Sequence, residues 1–247
     1  MNSLDLIHPE WAVHKNVHAF FTTRHGGVSM EKFSALNLSH AVGDDQEHVA
    51  QNRQILNGYL PSPPHWVTQV HSNTAVTAET SNETTKADAL YTRKQRTVCG
   101  IMTADCLPVL FTNRSGDQVA VAHAGWRGLT EGVLQQTVSS FNSIPSDLLV
   151  QLGPAISQKH YEVREDLLQR FLDLDNTYQK YFLPSAQGIY FADLYGIARH
   201  QLQQLGINSI FGGNNCTFSQ KDIFFSHRRE QPTGRIGALI WLDDSTK

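Results

Sequence analysis

The chain has 247 residues, 40% hydrophobic and 17% charged, which is enough apolar side chain for one large packed domain and excludes global disorder. A formal net charge of −3 gives no general pull toward nucleic acid or anionic membrane, and three cysteines, Cys99, Cys106 and Cys216, fit a reducing compartment better than a disulfide framework. The N-terminus lacks a basic-then-apolar signal pattern, and no apolar run approaches the roughly 20 residues of a membrane span, so the sequence reads as a cytoplasmic protein.

In chain order, His18 to Thr23 reads as a strand and Gly26-Gly27 as the turn after it. Asp44 followed by Glu47 has capping-box spacing and predicts a helix through Val49 and Leu56. Thr80 to Lys86 is polar and reads as an exposed loop. Val98 to Phe111 is a mostly apolar run, read as one buried strand with a bend. Pro108 within it lacks a backbone donor and marks a strand end or bulge near Cys106. Val119 to His123 is a further strand, followed by a Gly125-Trp126-Arg127-Gly128 turn. Leu129, Val133, Leu134, Val138 and Phe141 then share one face of a helix. More helices are predicted over Glu165 to Leu172 and Asp193 to Leu205, the second stopped by Gly206. Ile236 to Leu242 closes the chain as a strand. The interleaved order gives a mixed α/β fold in a single domain, residues 1–247.

Chemistry concentrates in three segments: Gln69-Val70-His71-Ser72, Thr103-Ala104-Asp105-Cys106-Leu107-Pro108 and His123-Ala124-Gly125. Two imidazoles and a thiolate make a good zinc set, and three protein ligands leave a position open, as in catalytic sites. The spacing does not by itself force this. Cys106 also reads as a buried apolar thiol, His123 as a core histidine and His71 as a loop residue. His123 does end an apolar strand before a Gly-rich turn, where α/β sites collect. That turn suits an anion, with Arg127 beside a helix start, or a plain tight connection. Arg228, Arg229 and Arg235 suit phosphate or carboxylate, or form a solvated basic face.

Read together, these segments resemble the YfiH family, also called the laccase-domain or polyphenol-oxidase-like family. The resemblance rests on Thr22 to Ser29, Asn37-Leu38, Gly43-Asp44, Asn52-Arg53, Gln69-Val70-His71, Ala87-Asp88-Ala89-Leu90, the Ala104-Asp105-Cys106-Leu107-Pro108 and His123 to Gly128 segments, Gly153-Pro154-Ala155-Ile156 and the C-terminal Ser226 to Arg229 with Thr233 to Arg235. It implies a zinc site at His71, Cys106 and His123. It implies a layered sandwich of mixed sheets covered by helices, related to a bacterial toxin deamidase fold of the CNF kind. It also implies purine nucleoside chemistry: phosphorolysis of adenosine, inosine, guanosine and methylthioadenosine (a transferase reaction with phosphate) and deamination of adenosine (a hydrolase reaction). Asn37 and Arg53 are similar to polar residues lining the family's pocket, with Arg53 suited to phosphate. The chain departs from the family pattern at His227, often Tyr; at Glu230-Gln231, often Asp-Gly; and at His160, often Cys.

Other readings stay open on sequence. Copper oxidase chemistry resembling laccase needs paired His-x-His ligands, and none of the twelve histidines forms one. Cys106 with His123 or His71 suits a nucleophilic hydrolase. Hydrolytic editing of peptidoglycan precursors is a further role associated with YfiH-like proteins. A non-enzyme alternative is a zinc-stabilised interaction domain, which needs a fourth ligand such as Cys216 or His160.

Overall fold

The computed structural model describes residues 3–243. Strands β1 (Leu6–Ile7) and β2 (Val17–Thr22) precede helix α1 (Gln46–Asn57). Five strands follow, β3 (Ala75–Thr77), β4 (Ala89–Thr92), β5 (Cys99–Thr103), β6 (Leu107–Asn113) and β7 (Val119–Ala124), then two short helices, α2 (Trp126–Glu131) and α3 (Val133–Ser139). The chain continues through β8 (Leu148–Leu152), β9 (Glu162–Arg164), α4 (Glu165–Leu172), β10 (Phe182–Ala186), β11 (Ile189–Ala192), α5 (Leu194–Gln204), β12 (Ser209–Gly212) and β13 (Ile236–Leu242).

Two sheets form the body. One is antiparallel, in the order β1-β2-β13-β5; the other is mixed, in the order β12-β8-β6-β7-β4-β3, with its parallel pairs at the two edges. A small third sheet, β10-β11-β9, lies apart from both. Strand alternation explains the layering, because successive side chains point to opposite faces. Phe21, Ala238 and Ile240 face Leu110, Val119 and Val121 between the two sheets. Their neighbours Phe20, Leu239 and Trp241 turn outward onto Leu56 of α1 and Trp66. On the far side, Val109, Phe111, Ala120 and Ala122 pack under Leu134, Leu168, Phe171 and Ile197 of the helices. With both faces covered, all seven residues of β13 and of β6 are buried. This is the mixed α/β sandwich that the sequence predicts. The ends of the predicted 1–247 domain, residues 1–2 and 244–247, lie outside the described residues. Among the described residues no helix is long and apolar enough to cross a membrane.

Three local expectations change. The cap of α1 is Asp45, whose carboxylate accepts from Glu47 and His48 N–H; Asp44 is buried and bonds Ser29 and Asn37. The Val98 to Phe111 run is two strands in two different sheets, broken at Asp105, where φ is +88°. The helix expected from Leu129 to Phe141 starts earlier, at Trp126, and breaks at Gly132, where φ is +86°.

Candidate metal centre

The break between β5 and β6 carries the chain from one sheet to the other, and Cys106 sits on it. The neighbouring Asp105 pins the crossing: its carboxylate accepts from Thr217 Oγ1 and Arg228 N, both at 2.6 Å, and its carbonyl accepts from Ile156 N at 3.0 Å. The Asp105 carboxylate is therefore taken up by these two bonds. His123 lies on β7 opposite Pro108. Alternation puts its side chain with Val119 and Val121, toward the gap between the sheets. His71 comes from the loop before β3, with φ at +61°. That left-handed conformation costs a non-glycine residue about 1–3 kcal/mol, so the surrounding contacts must hold it. The ligand atoms of His71, Cys106 and His123 all lie within 4.8 Å of one another.

Asp88, which the sequence reading did not assign a role, is what holds two of the three. It is fully buried, immediately before β4. Its Oδ1 takes the His123 Nδ1 proton at 2.8 Å and the His71 backbone N–H at 3.0 Å. Its Oδ2 accepts from Ser72 N at 2.6 Å, Ser72 Oγ at 2.8 Å and Val70 N at 3.2 Å. One carboxylate thus fixes the strained loop and sets the His123 tautomer, leaving Nε2 as the free donor atom. A carboxylate behind a ligand histidine is a recurrent feature of metal sites. The available signal was a lone acid between Ala87 and Ala89-Leu90, at the head of an apolar run.

Gly125 lies directly against the donors. A Cβ there would meet Cys106 Sγ at 2.9 Å and His71 Cδ2 at 3.2 Å. The Gly125 to Gly128 turn, readable as an anion cradle, instead packs beneath the three donors, and Arg127 is exposed and lies over the Trp126 ring.

Burial alone would raise the Cys106 thiol, but the facing His123 and His71 outweigh it and bring its pKa down to about 6. Burial alone would lower His123; the Cys106 thiolate and Asp88 reverse this and raise it to about 9. The same histidine holds Asp88 below its ordinary value in spite of burial. A metal would bind Cys106 as the thiolate and His123 through a deprotonated Nε2, releasing protons as it binds. The donor chemistry and the Asp88 anchor fit a borderline divalent ion.

The three donors line a cavity of about 400 Å³ together with Arg53, Trp66, His227 and Arg235. A smaller cavity of about 170 Å³, walled by Ile156, Tyr161 and Leu194, adjoins Cys106 and His227 from the other side. Arg53 does reach the large cavity, but Glu83 pairs with it at 2.6 Å and the Leu38 carbonyl holds its Nε at 2.8 Å. Asn37 is not on the cavity wall. Its amide donates to Ser39 O and Asp44 Oδ2, and its Oδ1 accepts from Ser39 N and Arg235 N. His160 and Cys216 are not brought to the donors either. They face each other at 3.6 Å, with Ser157 between them. Among the described residues the metal-capable group is thus the three predicted residues, with no fourth member.

Residues 18–243 match the family described as "Multi-copper polyphenol oxidoreductase laccase". A Haemophilus influenzae protein named purine nucleoside phosphorylase is 45% identical, covering 97% of this chain and all of the relative. An Escherichia coli K12 protein named purine nucleoside phosphorylase YfiH is 45% identical, covering 96% of this chain and 98% of its own length. Among solved structures, a Neisseria meningitidis protein superposes with a TM-score of 0.95 at 41% identity, over 97% of this chain and 99% of that one. A Bacillus licheniformis protein titled YfiH gives 0.85 at 31% identity, over 92% and 93% of the two chains. With likeness at this level running the length of both sequence and fold, the chain belongs to the YfiH, or laccase-like, family.

Proposed function

We propose that this chain is a zinc-dependent purine nucleoside enzyme whose main reaction is phosphorolysis. The substrates are adenosine, inosine, guanosine and methylthioadenosine, with deamination of adenosine as a second reaction in the same cavity. The observation that carries the reading is the convergence of His71, Cys106 and His123 on the wall of a cavity that also presents arginine. The relatives' printed names supply the substrate class. Zinc is favoured over copper by the thiolate and two imidazoles in one open group and by the lack of any His-x-His pair.

His71, Cys106 and His123 would hold the ion. When bound, it supplies a positive centre that polarises a substrate oxygen. The chain's own residues do the rest. Asp88 keeps His123 oriented, Trp66 and Met102 give the cavity apolar wall for a base, and the arginines favour an anion beside it. In phosphorolysis a phosphate oxygen bonds to the ribose C1′ as the bond from C1′ to the purine nitrogen breaks. The bonding pair leaves on the purine, which gains the proton that phosphate gives up. The cavity, about 400 Å³, is in the range of small-molecule sites.

Metal-verified protein incubated with adenosine, with and without phosphate, tests the reading. Adenine and ribose phosphate formed only with phosphate is the expected result, and inosine without phosphate marks deamination. Absence of both products would overturn it. Cys106→Ala is expected to lose zinc and turnover together; unchanged zinc content would remove Cys106 from the ligand set.

A further inference from the structure

The three C-terminal arginines, indistinguishable in sequence, have different fates in the fold. Arg229 is consumed by the chain: its guanidinium donates to the carbonyls of Thr217, Phe218 and Phe224 at 2.6–2.8 Å. Arg228 donates to the Glu162 carbonyl at 2.7 Å and lies over the Tyr161 ring, with its Cζ 5.3 Å from the centroid. Arg235 alone of the three lines the large cavity with the metal donors.

Arg235 is held in place before any ligand arrives. Its backbone N–H is gripped by Asn37 Oδ1 at 2.9 Å, and Asn37 is itself fully buried. Its Nη1 donates to the carbonyls of Thr233 at 2.8 Å and Gly234 at 3.0 Å. Its Nε and Nη2 have no acceptor among the described residues, and no carboxylate pairs with it there. The nearby acid, Asp105, is spent on Thr217 and Arg228 N–H. Carbonyl dipoles orient a cation without neutralising it; Cys106 and Asp105 are near enough to favour the charge, but neither bonds the guanidinium, so its free edge is left open to an anion. Burial correspondingly lowers the pKa of Arg235. Arg53, on the same wall, already has its counter-charge in Glu83.

We infer that Arg235 is the seat for a tetrahedral oxyanion, phosphate held by the unused Nε and Nη2 edge beside the metal donors. The flat edge of a guanidinium presents two parallel N–H groups to two phosphate oxygens. The inference rests on the phosphorolysis reading for its ligand and assigns to Arg235 the role that the family resemblance suggests for Arg53. It also gives Asn37 a part as a positioning residue, acting through the Arg235 backbone.

The test is phosphate binding followed by 31P NMR, on metal-loaded and metal-free protein, with inorganic phosphate and ribose 1-phosphate in separate arms. Arg235→Met is expected to weaken binding about 10- to 100-fold and to raise the phosphate KM by a similar factor, with nucleoside KM and zinc content held. Arg53→Met is expected to raise phosphate KM less than Arg235→Met does, because Glu83 already neutralises that guanidinium. Arg235→Lys keeps the charge but not the paired edge, and recovers part of the affinity; it also covers the case in which the methionine variant fails to fold. Loss in either arm supports the seat and names the form of phosphate it takes. Phosphate affinity within twofold of wild type in a folded Arg235 variant overturns it. If wild-type protein binds phosphate through Arg235 but forms no ribose phosphate from any nucleoside, phosphorolysis fails and the seat stands.

Discussion

Asp88 Oδ1 accepts a hydrogen bond from His123 Nδ1 at 2.8 Å while the same oxygen accepts the backbone N–H of His71 at 3.0 Å. A single buried carboxylate therefore couples two of the candidate metal donors from distant parts of the chain. Asp88→Asn replaces an acceptor-only group with one that presents N–H toward N–H. Metal affinity is expected to fall about 10- to 100-fold, read by competition with a chromophoric chelator. Hydrogen exchange at Val70, His71 and Ser72 should quicken in the metal-free variant. Wild-type affinity would remove Asp88 from the site.

Gly125→Ala separates the donors from the fold. Gly125 has φ at −67°, a backbone any residue adopts, but the added methyl would press on Cys106 Sγ and His71. Zinc binding is expected to weaken by about tenfold or more with little loss of stability, since a misplaced donor loses much of its bond to the metal. Gly132→Ala is the converse control. Its Cβ would meet nothing, but φ at +86° imposes about 1–2 kcal/mol of strain. The melting temperature should drop and metal binding should not.

Asp105→Ala tests whether the acid next to Cys106 is chemical or structural. Its carboxylate is occupied by Thr217 Oγ1 and Arg228 N. Two lost charge-assisted bonds predict a stability loss of about 2–4 kcal/mol by urea unfolding. Turnover per zinc-loaded, folded molecule should stay within a few-fold. A collapse of turnover at full stability would give Asp105 a part in the chemistry.

The three thiols should react differently with iodoacetamide, mapped by mass spectrometry of peptides. Cys99 is fully buried, and burial with Glu79 nearby raises its pKa, so it stays unmodified in folded protein. Cys106 should be shielded while metal is bound. For Cys216, burial works against ionisation, but hydrogen bonds from Ser157 and Ser219 outweigh it and bring the pKa to about 6. Its alkylation rate should rise through about pH 6 and then level, because the thiolate is the reactive form. Ser157→Ala should move that inflection upward. A Cys216 profile still climbing at pH 8 would rule out the lowered pKa.

Much of the fold is legible locally. Ile236 to Leu242 and α4 stand as read, and the strand read over Val119 to His123 runs one residue further, because a short unbroken apolar run marks a strand covered on both faces. The Val98 to Phe111 run was not legible as two strands: both halves are equally apolar, and only partner strands decide that β5 joins β13 while β6 joins β7 and β8. Asp44 and Asp45 offer the same capping chemistry, and the buried Ser29 and Asn37 claim the first.

By itself the sequence determined the mixed order of strands and helices and the ligand chemistry: apolar runs that need covering, and two imidazoles and a thiol in three separate segments. Only the tertiary structure decided where they meet. The register of β7 against β4 and β6 brings His123 over Asp88 and beside the sheet crossing at Cys106. The same long-range packing ties Arg229 to backbone carbonyls, sets Arg228 at the smaller cavity and leaves Arg235 on the wall of the large one. Local pattern records how a residue is buried. Its partner is set by pairings between segments far apart in the chain, and no local spacing encodes those.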